Sequence, residues 1–87
     1  SPIPEVLNAF LDDQDDLQWC GTPQELYAAL QKYIEQITFN TNDWPKAANA
    51  LTREINRLAP VLREYGIIYK KIVKNKRFIH IEKKQNK

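Results

Sequence analysis

TREINRLAPVLREYGII, residues 52–68, decides how the chain is read. Together with Leu51, its apolar positions Ile55, Leu58, Leu62 and Tyr65 advance in steps of four and three residues. At about 100° per residue they fall within roughly 80° of arc, the stripe of an amphipathic helix. Arg53 and Arg57 lie one turn apart on the opposite side. Pro60 has no N–H for the Asn56 carbonyl, a defect worth about 3 kcal/mol in an ordinary helix interior. A bend near residues 56–60, or a second short helix beginning at Pro60, is therefore expected. Gly66 suits the position just past a helix end. The spacing predicts a long helix over residues 46–65, with Asp43 as its cap and Pro45 in its first turn.

Beyond Gly66, IIYKKIV (67–73) and RFIHIE (77–82) are rich in β-branched and aromatic residues. They flank Lys74, Asn75 and Lys76, which read as a hairpin tip. Lys70 and Lys71 are adjacent in a strand and must point to opposite faces, so only one of them shares a surface with the tip. In the other direction, GTPQELYAALQKYIEQI begins with a specific helix signal. Thr22 is a natural cap, Pro23 fits the first helical position, and Glu25 completes a capping box. Leu26, Ala29, Leu30, Tyr33 and Ile37 supply the stripe, and the helix is expected to end at Gln36 or Ile37. Residues 38–43 read as a loop. Ile3, Val6, Leu7, Phe10 and Leu11 mark a first helix over residues 2–11. It is expected to fade in the acidic run 12–16, where carboxylates oppose the helix dipole. Residues 17–20 form a short extended candidate that contains Trp19.

The order is helix, short strand, helix, long helix, hairpin. This is an α+β chain, mainly α, in the order of a winged helix-turn-helix, whose third helix reads the major groove and whose hairpin is the wing. Residues 1–82 form the domain, and 83–87 a basic, disordered tail. With 87 residues there is room for one core and none for a large substrate cleft. The chain lacks methionine, which is read as a piece of a longer protein. No apolar run approaches the roughly 20 residues of a membrane span, and no signal peptide is apparent. One cysteine allows no internal disulfide, so a reducing, cytoplasmic setting is expected.

Charge is divided along the chain. Residues 1–43 carry eight carboxylates against Lys32, a net −7, whereas residues 44–87 carry twelve bases against three acids, a net +9. Such asymmetry fits one half that faces a polyanion. A helix about 10 Å across fills a major groove about 12 Å wide. Lys46, Asn49, Arg53, Asn56 and Arg57 then offer Arg–guanine and Asn–adenine pairings as well as phosphate contacts. Like charges four apart slightly destabilise a helix, so the Arg53/Arg57 pair implies a use. Lys74, Lys76 and Arg77 at the wing tip suit phosphates or a neighbouring minor groove.

The blocks SPIP (1–4), WCGTPQEL (19–26), WPK (44–46) and LTREINRLAPVLREYGI (51–67) carry a family likeness. Their spacing resembles the winged-helix domain at the C-terminal end of phage- and plasmid-type primase–helicase replication proteins. The likeness spans nearly the whole chain. Ala47-Ala48 departs from it, where a Thr-Pro pair is expected, and this blurs the start of the third helix. The resemblance implies an accessory DNA-binding domain of a mobile element's replication protein, with catalysis elsewhere in the parent.

Other chemistry is not indicated. No P-loop, Ser-His-Asp set or metal-ligand spacing occurs, so no enzyme, cofactor or metal is expected in this chain. The acidic run lacks the glycine and terminal glutamate of a calcium loop and reads as a solvated corner. Cys20 reads as a small buried hydrophobe, His80 as a structural strand residue, Trp19 as core, and Trp44 as an anchor. The expected partners are double-stranded DNA and the parent's remaining domains. Two alternatives differ in kind: a protein-docking module with no DNA contact, and single-strand binding through Tyr69 and Phe78.

Overall fold

Most elements begin or stop for a local reason. The computed structural model describes residues 2–37 and 44–84. Helix α1 (Ile3–Asp12) buries all five residues of its predicted stripe and stops on entering the acidic run. A single 3₁₀ turn, Asp15–Leu17, then reverses the chain with Asp16 and Leu17 both at positive φ, 57° and 56°. Aspartate tolerates that region, whereas leucine adopts it only under tertiary constraint.

Strand β1 (Gln18–Gly21) leads into α2 (Pro23–Gln36), and Cys20, expected to be buried, is exposed on the strand. The predicted capping box is present: the Glu25 N–H donates to Thr22 Oγ1 at 3.2 Å, and the Thr22 N–H donates to Glu25 Oε1 at 2.8 Å. That backbone donor, followed by the Thr22 hydroxyl, holds the Glu25 carboxyl below its ordinary range. A depressed carboxylate contributes stability above its unfolded pKa, and this is lost as pH falls through the lower, folded value. Thr22→Ala is expected to cost about 1 kcal/mol and to return Glu25 toward the ordinary carboxylate range. A thermal melt and an NMR titration of Glu25 check the two effects.

The next helix starts later than its sequence pattern predicts. Residues 44–47 are not helical, and α3 spans Ala48–Arg57. Trp44 is buried, and the Tyr27 hydroxyl donates to the Pro45 carbonyl at 2.9 Å. These contacts pin the segment to α2, so Pro45 lies before the helix and Lys46 is outside it. The residue that caps α3 is Ala47, in extended conformation and with no side-chain oxygen to offer. The expected loop 38–43 and the Asp43 cap lie outside the described residues. Ala47→Thr supplies the missing acceptor and is expected to stabilise the chain by about 1 kcal/mol, read as a higher unfolding midpoint in urea.

Pro60 splits the helical region as its chemistry requires. Leu58 separates α3 from α4 (Ala59–Glu64), in which Pro60 occupies the first turn. The second helix thus begins one residue before the predicted start. The break also redirects the stripe. Leu51, Ile55 and Leu62 are buried, but Leu58 is only half-buried and Tyr65 is 46 % exposed. Gly66 follows α4 at φ 81°, a conformation glycine adopts without cost, and its carbonyl accepts from the Lys84 N–H at 2.8 Å.

Strands β2 (Ile67–Val73) and β3 (Arg77–Lys83) form the hairpin. Strand β1 adds to the far edge of β3, giving a three-stranded antiparallel sheet in the order β1-β3-β2. The architecture is α+β and mainly helical, with four α-helices and this sheet among the described residues. One apolar core draws on all four helices and on β2 and β3, and it includes Trp44. Trp19 packs against its edge and meets Phe10 edge-on, with ring centroids 5.9 Å apart. A Cβ on Gly21 would lie 2.6 Å from the Trp19 ring, so any larger residue there must displace the indole.

The acidic run is not wholly a solvated corner. Asp12 pairs with Lys83 at 2.7 Å, and Asp13 accepts from the Tyr33 hydroxyl at 2.6 Å. Strand β3 extends one residue past the predicted hairpin end, through Lys83. Lys84, also assigned to the disordered tail from sequence, is held by its bond to the Gly66 carbonyl, and 85–87 lie outside the described residues.

Candidate nucleic-acid interface

Helix α3 docks through Leu51 and Ile55, which turns Asn49, Thr52, Arg53 and Asn56 outward. The hairpin register then decides what faces them. The three-residue tip pairs Val73 with Arg77, Lys71 with Ile79 and Tyr69 with Ile81. Ile79 and Ile81 are buried, so Tyr69 and Lys71 share their face of the sheet, the side toward the helices. Lys70 pairs with His80 on the opposite face. The register thus selects Lys71, not Lys70, as the lysine on the helix side.

The two surfaces enclose a groove of about 330 Å³, lined by Pro23, Asn49, Thr52, Arg53, Asn56, Tyr69, Lys71, Arg77 and Ile79. A continuation of about 200 Å³ runs past Thr22 and Gln24 at the start of α2 and Ala48 at the start of α3. Arg53, Lys71 and Arg77 converge with no carboxylate among the lining residues. Among the described residues, the ion pairs are Glu54–Arg57 and Asp12–Lys83, and neither involves these three cations. Burial pushes the Tyr69 phenol up, while the nearby Arg77 guanidinium opposes the shift. The arrangement offers charged donors to an anion, amide donors and acceptors from two asparagines, and an aromatic ring.

Of the eight residues proposed from sequence, the groove gathers Asn49, Arg53, Asn56 and Arg77. Arg57 closes α3 and is held by Glu54 through a 2.6 Å hydrogen bond. That bond lowers the Glu54 pKa and raises that of Arg57, so an incoming anion must compete with a carboxylate there. Lys46 is exposed ahead of α3. Lys74 and Lys76 stand exposed at the hairpin tip, closed by a Lys74 N–H to Lys76 carbonyl bond of 3.1 Å. Lys76 is close enough to Glu25 to help lower its pKa.

Sequence reasoning did not select Thr52, and it left Lys71 undecided against Lys70. The signal for Lys71 was present: a three-residue tip fixes its pairing with Ile79, and Ile79 alternates with Ile81. Phe78 lies on the opposite face from Tyr69, so the two aromatics do not form one platform. His80 Nε2 lies 3.1 Å from Gln18 Oε1. No group of three or more potential metal-ligating side chains occurs among the described residues. No described helix is long and apolar enough to cross a membrane.

No curated protein and no solved structure matches the chain. The model of one family, described as the AICE RepA C-terminal domain, matches residues 4–87. The match covers nearly every residue from α1 through the hairpin, and the chain therefore belongs to this family of replication-protein C-terminal domains.

Proposed function

We propose that this chain is a non-catalytic DNA-binding module, a winged helix-turn-helix at the C-terminal end of a larger cytoplasmic replication protein of the primase–helicase type. Helix α3 enters the major groove of duplex DNA, and the β2–β3 hairpin, as the wing, follows the backbone. The observation that carries this reading is the convergence of Arg53, Lys71 and Arg77 beside Asn49 and Asn56, without a carboxylate among the lining residues. Cations gathered on one surface raise its positive potential and draw a polyanion to it. Membership in a replication-protein family supports the same reading. The parent's other domains are the expected protein partners.

Titration of labelled duplex across a salt series tests the proposal. Affinity is expected to fall linearly in log–log form, with a slope near −0.9 per phosphate neutralised. Absence of duplex binding at low salt, with retention of a protein partner, would replace this reading with that of a docking module.

A further inference from the structure

We infer that the groove between α3 and the hairpin is a site for one unpaired nucleotide, so that the domain prefers a duplex that opens into single strands over a continuous one. The inference rests on the duplex-binding reading above: the same cations hold the backbone, and the groove wall at Tyr69 and Ile79 adds a place for one base. Its basis is the shape and chemistry of the groove.

The groove holds about 330 Å³, at the lower end of the roughly 300–1,000 Å³ of small-ligand sites. A duplex is too wide to enter it. The outer ends of Arg53 and Arg77 are exposed and can reach backbone phosphates from the rim. Tyr69 is half-buried and Ile79 is buried on the sheet side. A paired base held in its stack cannot reach that wall, whereas an unpaired nucleotide swings freely about its backbone.

The lining matches the parts of such a nucleotide. Arg53, Lys71 and Arg77 supply charge for its phosphate. Tyr69 and Ile79 supply an aromatic ring and an apolar neighbour for the base, the combination that holds single strands irrespective of sequence. Asn49 and Asn56 offer amides to a base edge. The Asn49 Oδ1 already accepts from the Ala50 N–H at 2.9 Å, which leaves its NH₂ free to donate. Phe78 lies on the other face, so the groove stacks one base and not a run of them.

The test compares a blunt duplex with a forked duplex of the same paired length that carries 2-aminopurine at its first unpaired position. The wild-type chain is expected to bind the fork at least about fivefold more tightly, with quenched 2-aminopurine emission, because stacking on an aromatic side chain is of this size or larger. Tyr69→Leu is expected to abolish the preference and the quenching while leaving blunt-duplex affinity unchanged. Tyr69→Phe retains both. Tyr69→Ile, a β-branched replacement suited to a strand, removes the ring in the same way and serves as a second check should Tyr69→Leu fail to fold. Equal affinity for fork and duplex in the wild type, or an equal loss on both substrates in Tyr69→Leu, would overturn the nucleotide site and leave the duplex reading standing. If the wild type bound neither substrate, the duplex reading itself would fall.

Discussion

The double variant Arg53→Ala/Arg77→Ala is expected to bind duplex DNA at least about 30-fold more weakly than the parent chain at moderate salt. Each lost arginine contact is worth about 1–3 kcal/mol if it reaches a base edge, and about one unit of salt slope if it reaches a phosphate. The two residues come from different elements, α3 and β3, and meet only across the groove. Both are exposed, and neither belongs to an ion pair among the described residues. The variant should therefore melt within a degree or two of the parent. Anisotropy titrations at several salt concentrations measure both the affinity and the slope. Lys32→Ala/Lys70→Ala removes the same charge from positions that do not line the groove, and Lys70 lies on the far sheet face. An equal loss in that control would mean that net charge alone, and not this surface, governs binding.

Leu51→Ala is expected to carry the largest cost to stability. Leu51 is fully buried in the core beneath α3, and such truncations cost about 2–5 kcal/mol, because a cavity remains after the methyl groups are lost. A chain of this size has roughly 0.05–0.15 kcal/mol of stability per residue, so the loss is a large fraction of the whole. It corresponds to a fall in Tm of about 10 °C or more. Tyr65→Ala is the informative contrast. Tyr65 belongs to the same apolar stripe when residues 51–65 are read as one helix, yet it is 46 % exposed. Its truncation should cost under about 0.5 kcal/mol. Urea unfolding of the two variants separates the folded arrangement from a single continuous helix, in which both would be costly.

That contrast shows where local information ends. The start of α2 was legible because a capping box is a contract among neighbours: Thr22, Pro23 and Glu25 satisfy the first turn without help from elsewhere. The split at Pro60 was legible because a missing N–H needs no partner to act, and the exit at Gly66 because a positive φ favours glycine wherever it occurs. The start of α3 was not legible. Nothing adjacent to Lys46 forbids a helix there. The buried Trp44 and the Tyr27–Pro45 hydrogen bond, made across 18 residues, hold that segment out of the helix.

The sequence by itself determined the type and order of the helices and the hairpin, and it placed cations on α3 and on the hairpin. Those features follow from periodicity, capping and backbone chemistry, which act within a few residues. Only the tertiary structure decided which cations meet. It drew Arg53 and Arg77 together and aligned Lys71 with them through the register against Ile79. It also left Lys70 on the opposite sheet face and showed Arg57 bound to Glu54. A charge on a flexible side chain has no partner until packing brings distant elements to a common surface, and here the docking of α3 and the pairing of β2 with β3 create that surface.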